Sequence, residues 1–468
     1  MIYTDICSDS RTVIPGCLFV CTRGAADDGH LHAHEAYDAG CRDFCAEHGL
    51  DLPSDARVTI CSDTRAALAE NAAKFFGYPA RSLITVGVTG TKGKTGTVCC
   101  AKAMLEEAGI KCGAVGTLGI DLGGERVSTH NTTPDAVTLH RSFAEMLKRG
   151  VRVALVEVSS QALKEERVHG IDFDIGVFTN FSPDHISPCE HANVNEYKEC
   201  KSKLFSQCRT GFFNADDSEY GFFVKNARCK AISCGTMTEC EYSAQNVGFF
   251  RLDDGLFSSF DLVHGDERTH LITPVPGMPG VYNTLLAAAV CSFLGACDGA
   301  IVRGAAKARA KGRFELYKVG SYYAMIDYAH NALSVQNLFD TVKKYGFSRM
   351  ISVFGCGGER DRERRRSMGG IIAANSDICV ITEDNPRCED PASISRDIAE
   401  GINGAECKTI MIDDRKEAIE FALNAAKAND IVLLIGKGHE DYMEKNGRKL
   451  PFCESDIINE FKARLRDN

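Results

Sequence analysis

Gly87-Val-Thr-Gly-Thr-Lys-Gly-Lys-Thr-Gly96 is the stretch on which the reading of this chain turns. Residues 82–88 have the apolar, β-branched composition of a buried strand, and residues 97–108 carry helical spacing with good helix formers. Strand, glycine-rich turn and helix make a phosphate cradle. Gly90 and Gly93 let backbone N–H groups approach phosphate oxygens, and the helix N-terminus favours negative charge. Lys94 is placed to reach the outer phosphates and the Thr95 hydroxyl to ligate Mg²⁺. The strict G-x-x-x-x-G-K-[ST] spacing is not met, because position 88 is valine; the core is Gly90-Thr-Lys-Gly-Lys-Thr95. A glycine turn with a surface lysine is the plain alternative.

A chain of 468 residues with 44% apolar and 25% charged residues has the length of about three domains and the composition of a globular protein. The net charge of −10 argues against a general nucleic-acid binder, so an anionic substrate needs locally concentrated Lys, Arg and helix N-termini. There is no run of 18 apolar residues and no basic-then-apolar N-terminal pattern, which predicts a cytoplasmic protein without membrane insertion. The 22 cysteines are scattered, as expected of reduced thiols. Cys17/Cys21 and Cys41/Cys45 are C-x₃-C pairs, read as buried free cysteines or, alternatively, zinc ligands.

Three segments follow from turn signals and alternation. Residues 1–80 hold short strands and helices, with polar loop residues at Asp9-Ser-Arg11. Residues 81–311 alternate strand and helix as far as Leu163, as in a parallel sheet with helices on its faces, and residues 230–275 read as short, antiparallel strands. Residues 312–468 repeat the alternation and suggest a second doubly wound sheet. The run Arg360-Asp-Arg-Glu-Arg-Arg-Arg366 is either a solvated helix start or an anion site.

Candidate chemistry clusters at strand ends, which in such sheets lie beside the phosphate turn. Glu157 ends the apolar run 151–158, where an unpaired carboxylate is costly and a nucleotide-bound metal would offset that cost. Asn180-Phe-Ser-Pro-Asp-His185 follows the next strand, and His185 can ligate a second metal. Asp327, in Asp327-Tyr-Ala-His330, can accept from a ribose hydroxyl, and Arg313 can reach phosphates.

Gly90-Thr-Lys-Gly-Lys-Thr95, Glu157-Val-Ser-Ser160, Asn180…Asp184-His185, Tyr197…Lys201, Gly312-Arg-Phe-Glu315 and Asp327-Tyr-Ala-His330 occur in that order. As an ordered set they resemble the Mur ligases, ATP-dependent amide-bond synthetases of peptidoglycan precursors. Asn131-Thr-Thr-Pro134, Asp384-Asn-Pro-Arg387 and Gly436-Lys-Gly-His-Glu440 resemble the members that add the third stem residue. The resemblance covers essentially the whole chain.

It implies an α/β protein of three domains: one for the uridine nucleotide, a central P-loop ATPase-type parallel sheet, and a C-terminal Rossmann-like sheet for the incoming amino acid. It also implies ATP and Mg²⁺, a monomer, and Lys94, Glu157, His185 and Lys201 as catalytic residues. ATP would be held by Gly90, Thr91, Lys92, Gly93, Lys94, Thr95, Gly96, Asn180, Asn283, Arg313 and Asp327. The metals would be held by Thr95, Glu157, His185 and a carbamylated Lys201. Ser8, Ser10, Asn131, Thr132, Thr133, Ser159 and Arg167 match positions that hold the UDP-MurNAc-dipeptide. Arg360, Asp384, Asn385, Pro386, Arg387, Gly436 and Glu440 match the amino-acid pocket, with Arg387 at the position associated with meso-diaminopimelate. Gln161 and Gly280 depart from the family, which has histidine and asparagine there. Around Asp184 to His191 the chain is more like some lysine-adding members, so L-lysine stays open. Two further readings are a folylpolyglutamate synthetase-like ligase, which leaves Asn385-Pro-Arg387 unexplained, and a non-catalytic nucleotide-binding partner.

Overall fold

The computed structural model describes residues 3–24, 27–129, 131–183, 186, 190–252, 255–309, 312–359, 361–402, 404 and 406–466. The chain forms two compact units. The first comprises Met1–Gln245, Asp261–Leu271 and Tyr282–Lys307, the second Asn246–Phe260, Ile272–Val281 and Ala308–Asn468.

The first unit opens with four short parallel strands, Ile6–Cys7, Leu18–Val20, Asp43–Ala46 and Arg57–Ile60, side by side in chain order. Phe19 and Phe44 meet edge to face over a core of small residues and buried cysteines. Cys17, Cys21, Cys41 and Cys45 are buried and free. Thiols meet across neighbouring segments, Cys17 with Cys7 at 3.6 Å and Cys45 with Cys61 at 3.5 Å. Among the described residues no group of three metal-ligating side chains forms at either C-x₃-C motif.

Ile84–Thr89 is a central strand of the larger sheet, with Phe173–Phe178 on one side and Val153–Glu157 on the other, both parallel to it. The expected strand at 82–88 begins later because Pro79–Ser82 forms a 3₁₀ turn. Both flanking strands come later in the chain, so a crevice opens at the carboxyl end of Ile84–Thr89. Register places Glu157 opposite Val88, two residues before Gly90. The helix after the turn is Lys94–Glu107, three residues earlier than its spacing predicts, because Gly93 (φ +85°) passes directly into it as N-cap. The strands expected in 230–275 are longer than anticipated, Tyr242–Leu252, Gly255–His264 and Glu267–Thr273. The region joins the sheet in parallel, through Cys234 opposite Tyr242, and its three long strands lie side by side in chain order.

The second unit carries a six-stranded sheet in the order Glu315–Val319, Tyr322–Asp327, Ile431–Ile435, Met350–Phe354, Ile378–Ile381, Lys408–Met411. The first pair is antiparallel and the others parallel. Its four inner strands are buried on both faces, hence their continuous apolar runs, whereas the edge strands Glu315–Val319 and Lys408–Met411 are partly exposed. Leu433 and Ile435 pack with Leu338, Phe339, Ile372 and Ile398, whereas Val432 and Leu434 pack with Ile419, Leu423 and Ile458. Asp327 and Phe354 both lie opposite Ile435, and Ile381 opposite Phe354, so the loops after four parallel strands converge at one edge.

No described helix is long and apolar enough to cross a membrane.

His140 makes a testable stability feature. It lies in the helix Ala136–Lys148, 1% exposed, edge-on to Phe143. Neither ring nitrogen has a hydrogen-bond partner among the described residues, and burial lowers its pKa to about 4. The unfolded chain therefore takes up this proton first. The contribution is present above pH ~6.5 and is lost as pH falls towards 4, amounting to about 2 kcal/mol between pH 7 and pH 5. Urea unfolding of wild type and His140→Met at both pH values should show that loss only in the wild type. Equal pH slopes would refute it.

Candidate active site

The phosphate turn is built against residues 179–182. Asn180 clasps Lys92, its amide oxygen accepting from Lys92 N at 2.9 Å and its Nδ2 donating to Lys92 O at 3.0 Å. Thr91 N donates to Asn180 O, and the Thr179 hydroxyl donates to Lys92 O. A Cβ at Gly90 would overlap the Thr179 hydroxyl, and one at Gly93 would lie 2.6 Å from Asn283 Oδ1. A Cβ at Gly96 would overlap the Asn283 amide, so Asn283 packs against the turn.

Glu157 is 2% exposed and accepts three hydrogen bonds: Thr95 Oγ1 at 2.9 Å, Thr117 N at 3.0 Å and Thr117 Oγ1 at 3.1 Å. Burial raises its pKa, and the Lys94 charge opposes that shift. The Thr95 hydroxyl and the Glu157 carboxylate are hard oxygen donors, a set that fits Mg²⁺. The Lys94 ammonium donates to the Gly90 carbonyl at 2.8 Å, and the Lys201 ammonium donates to that same oxygen at 3.0 Å. Lys201 is 1% exposed, in the last turn of the helix Val194–Ser202, 4.5 Å over the Tyr197 ring. Two ammonium groups on one carbonyl make a site that favours an anion. His185 and Asp184 lie outside the described residues. His191, Glu196 and Cys200 also bring ligand atoms within 4.8 Å of one another. Glu196 is already paired with Lys164 at 2.8 Å and His191 Nε2 lies 3.0 Å from Ser160 Oγ, so a cation there would compete with an ammonium.

Nothing in the sequence singles out Thr117, which the structure places on the Glu157 carboxylate. Its neighbour Gly116 is required, because a Cβ there would overlap the Glu157 carboxylate. Thr133 ties the adjacent loop to the same strand end, donating to Glu157 O at 2.7 Å and accepting from Ser159 N at 3.0 Å. Thr132 reaches Thr117 at 3.1 Å, and Arg167 donates to Thr133 O at 2.8 Å. Asn131 and Arg167 line a cavity with Ser8, Arg23 and Arg65, while Ser10 lines an adjoining one and donates to Glu35. Gln161 donates to Glu165 at 2.6 Å.

In the second unit the four converging loops line a cavity of about 100 Å³ that includes Asp384, Asn385, Arg387, Gly436 and Glu440. Asn385 Nδ2 donates to Glu440 at 2.8 Å. Arg387 has left-handed backbone (φ +54°) and donates from Nη1 to the Gly358 carbonyl at 2.5 Å. Its Nε lies 3.5 Å from the Glu444 carboxylate. Arg360 lies outside the described residues. Among the described residues the arginine run starts the helix Arg362–Asn375, capped by Asp361, with Arg362 largely exposed and the next three arginines engaged. Arg364 donates to His330 O, Arg366 pairs with Glu400, and Arg365 is buried between Glu389 and Asp397. Hydrogen bonds from Arg365 hold the Glu389 carboxyl down to about 2. Asp327 accepts from Phe314 N through one oxygen and from Ala329 N through the other, tying the residue before the strand Glu315–Val319 and the loop after its own strand. Arg313 stacks over Tyr328 at 4.8 Å. A Cβ at Gly280 would overlap the Val275 carbonyl oxygen, so this backbone has no room for the asparagine expected there.

The Mur ligase middle domain matches residues 88–291, and the Mur ligase glutamate ligase domain matches residues 312–438. The chain belongs to the Mur ligase family, and so to the ATP-dependent acid–amino-acid ligases. The UDP-N-acetylmuramoyl-L-alanyl-D-glutamate–2,6-diaminopimelate ligase of Caldanaerobacter subterraneus is 35% identical over 463 residues, covering 98% of this chain and 95% of the relative. That of Syntrophomonas wolfei is 38% identical over 466 residues, covering 98% and 94%. A solved structure of a ligase with the same name shares 27% identity, with a TM-score of 0.72 over 99% of this chain and 95% of that one.

Proposed function

We propose that the chain joins meso-2,6-diaminopimelate to UDP-MurNAc-L-Ala-D-Glu, with ATP converted to ADP and phosphate, as a cytoplasmic step of peptidoglycan precursor synthesis. The observation that carries this reading is the cavity of the second unit, where the Arg387 cation stands beside Asp384, Asn385 and Glu440. Diaminopimelate presents a carboxylate and an ammonium at its far end, and those groups complement a guanidinium and two carboxylates. The relatives at 34–38% identity carry the same substrate in their names.

Residues 1–80 would form the uridine domain, 81–311 the ATP domain and 312–468 the amino-acid domain. Ser8, Ser10, Asn131, Thr132, Thr133, Ser159 and Arg167 would hold the UDP-MurNAc-dipeptide. The turn 90–96, with Asn180, Asn283, Arg313 and Asp327, would hold ATP. The dipeptide carboxylate attacks the γ-phosphorus, ADP leaves, and an acyl phosphate forms. The diaminopimelate amine then adds to the acyl carbon, loses a proton and expels phosphate. Lys94 neutralises charge on the transferring group. Thr95 and Glu157 would hold one Mg²⁺, and His185 with a carbamylated Lys201 a second, and these ions would supply further neutralisation of phosphate charge.

A carbamate on Lys201 would exchange one of two crowded cations for a carboxylate. Lys201→Ala should then lose activity and regain part of it with added acetate or formate. Full activity without rescue would sink that assignment.

The reading as a whole is tested by phosphate release from purified protein with ATP, UDP-MurNAc-L-Ala-D-Glu and a panel of amino acids. Strong preference for meso-diaminopimelate is expected. Equal or better rates with L-lysine would replace diaminopimelate by lysine, and no release with any acceptor would overturn the ligase assignment.

A further inference from the structure

We infer that Lys437 is a positioning residue for the distal ammonium of the incoming diamino acid. This rests on the diaminopimelate reading and deepens it. Lys437 is 0% exposed, yet it does not line the cavity. Its ammonium instead reaches three oxygens of groups that do: Asn385 Oδ1 at 3.1 Å, Glu440 Oε2 at 3.2 Å and Asp384 Oδ1 at 3.5 Å. The Tyr442 ring lies 5.7 Å away on this ammonium.

Two consequences follow for the cavity. Asn385 is held in one amide orientation, because its oxygen accepts from both Lys437 and Glu444 N at 2.9 Å while its nitrogen donates to Glu440. Glu440 Oε2 takes both Asn385 and Lys437, which leaves Oε1 free of these two bonds and able to accept from a substrate. The charge balance is equally specific. Asp384 and Glu440 bring two negative charges and Lys437 returns one positive, so this group complements one substrate ammonium, while Arg387 on the same lining is left for the substrate carboxylate. Without Lys437 the two carboxylates repel each other in a poorly solvated wall, and Asn385 is free to flip.

The experiment compares wild type and Lys437→Met, the unbranched uncharged replacement, using meso-diaminopimelate and 2-aminopimelate as acceptors. The second has the same two carboxylates and lacks only the distal amine. KM for diaminopimelate should rise about 10- to 100-fold in the variant, the loss that follows when buried acceptors lose their donor. KM for 2-aminopimelate and for ATP should stay within about threefold, as should kcat, since none of these depends on a bond to the distal ammonium. An unchanged KM for diaminopimelate would overturn the inference, and so would parallel losses with both acceptors, which mark a merely structural role. Should the methionine variant fail to fold, Lys437→Gln is read in the same way, and if it too is unfolded the residue is structural and the inference fails. A wild type that does not use diaminopimelate at all defeats the underlying functional reading instead, so the two failures are separable.

Discussion

Lys94→Ala is expected to cut ATP-dependent ligation by about 10³-fold, or roughly 4 kcal/mol of transition-state stabilisation, while the chain stays folded. The ammonium sits at the first position of the helix Lys94–Glu107 and is held over the turn by the Gly90 and Thr91 carbonyls. With ATP held as proposed, that ammonium would face the charge developing on the γ-phosphoryl group, so its loss should act on the transition state more than on ground-state binding. Glu157 loses its nearest opposing charge as well, and burial then pushes its carboxyl further towards the protonated form. Alanine is the best helix former and adds no strain at that position, so circular dichroism and the unfolding midpoint should change little. Phosphate release under single-turnover conditions measures the effect. Near-normal turnover would falsify the role of the turn. A wild type that binds ATP but never turns over would favour the non-catalytic partner reading.

What could be read in the sequence were features whose cause is local. The turn at 90–96 announces itself by its glycines, and structure shows why: Thr179 and Asn283 leave no room for a side chain at Gly90, Gly93 or Gly96. The apolar runs at 350–354 and 431–435 were legible as strands because they are buried on both faces. Hidden features arise from register between distant strands. Thr117 meets Glu157 only because Cys112–Gly116 and Val153–Glu157 run side by side, a contact across 40 residues. Arg365 reads as one charge in a basic run, yet Glu389 and Asp397 bury it. Lys437 was likewise legible as part of Gly436-Lys-Gly-His-Glu440 but not as a buried cation, because Asp384 and Asn385 reach it from another loop. Helix starts and strand ends shifted by a few residues where a glycine or a 3₁₀ turn decided the boundary, as at Lys94 and Ile84.

Arg387→Ala should cost diaminopimelate use about 2–5 kcal/mol, the range for removing one partner of a desolvated charge pair, while ATP binding is kept. The backbone at Arg387 is left-handed (φ +54°), an arrangement that costs an L-residue of order 1 kcal/mol and persists because its surroundings impose it. Here Arg387 N donates to Glu444 O, and Asn446 N donates to Arg387 O at 2.7 Å, so residues 444–446 clamp the residue on both sides. The guanidinium is held by the Gly358 carbonyl and lies beside Glu444, with its side chain 25% exposed. A planar fork fixed in this way has donors left for a carboxylate. Alanine keeps the Cβ and therefore the backbone strain, so Arg387→Ala reports on the guanidinium alone. Arg387→Gly relieves the strain, and should be the more stable of the two yet equally poor with diaminopimelate. L-lysine has no far-end carboxylate, so its rate should hardly change and the ratio of diaminopimelate to lysine rates should fall towards one. If Arg387 served only to cap the Gly358 carbonyl, both acceptors would lose equally and the unfolding midpoint would drop. A diaminopimelate KM within about threefold of wild type in the folded alanine variant would remove Arg387 from substrate selection.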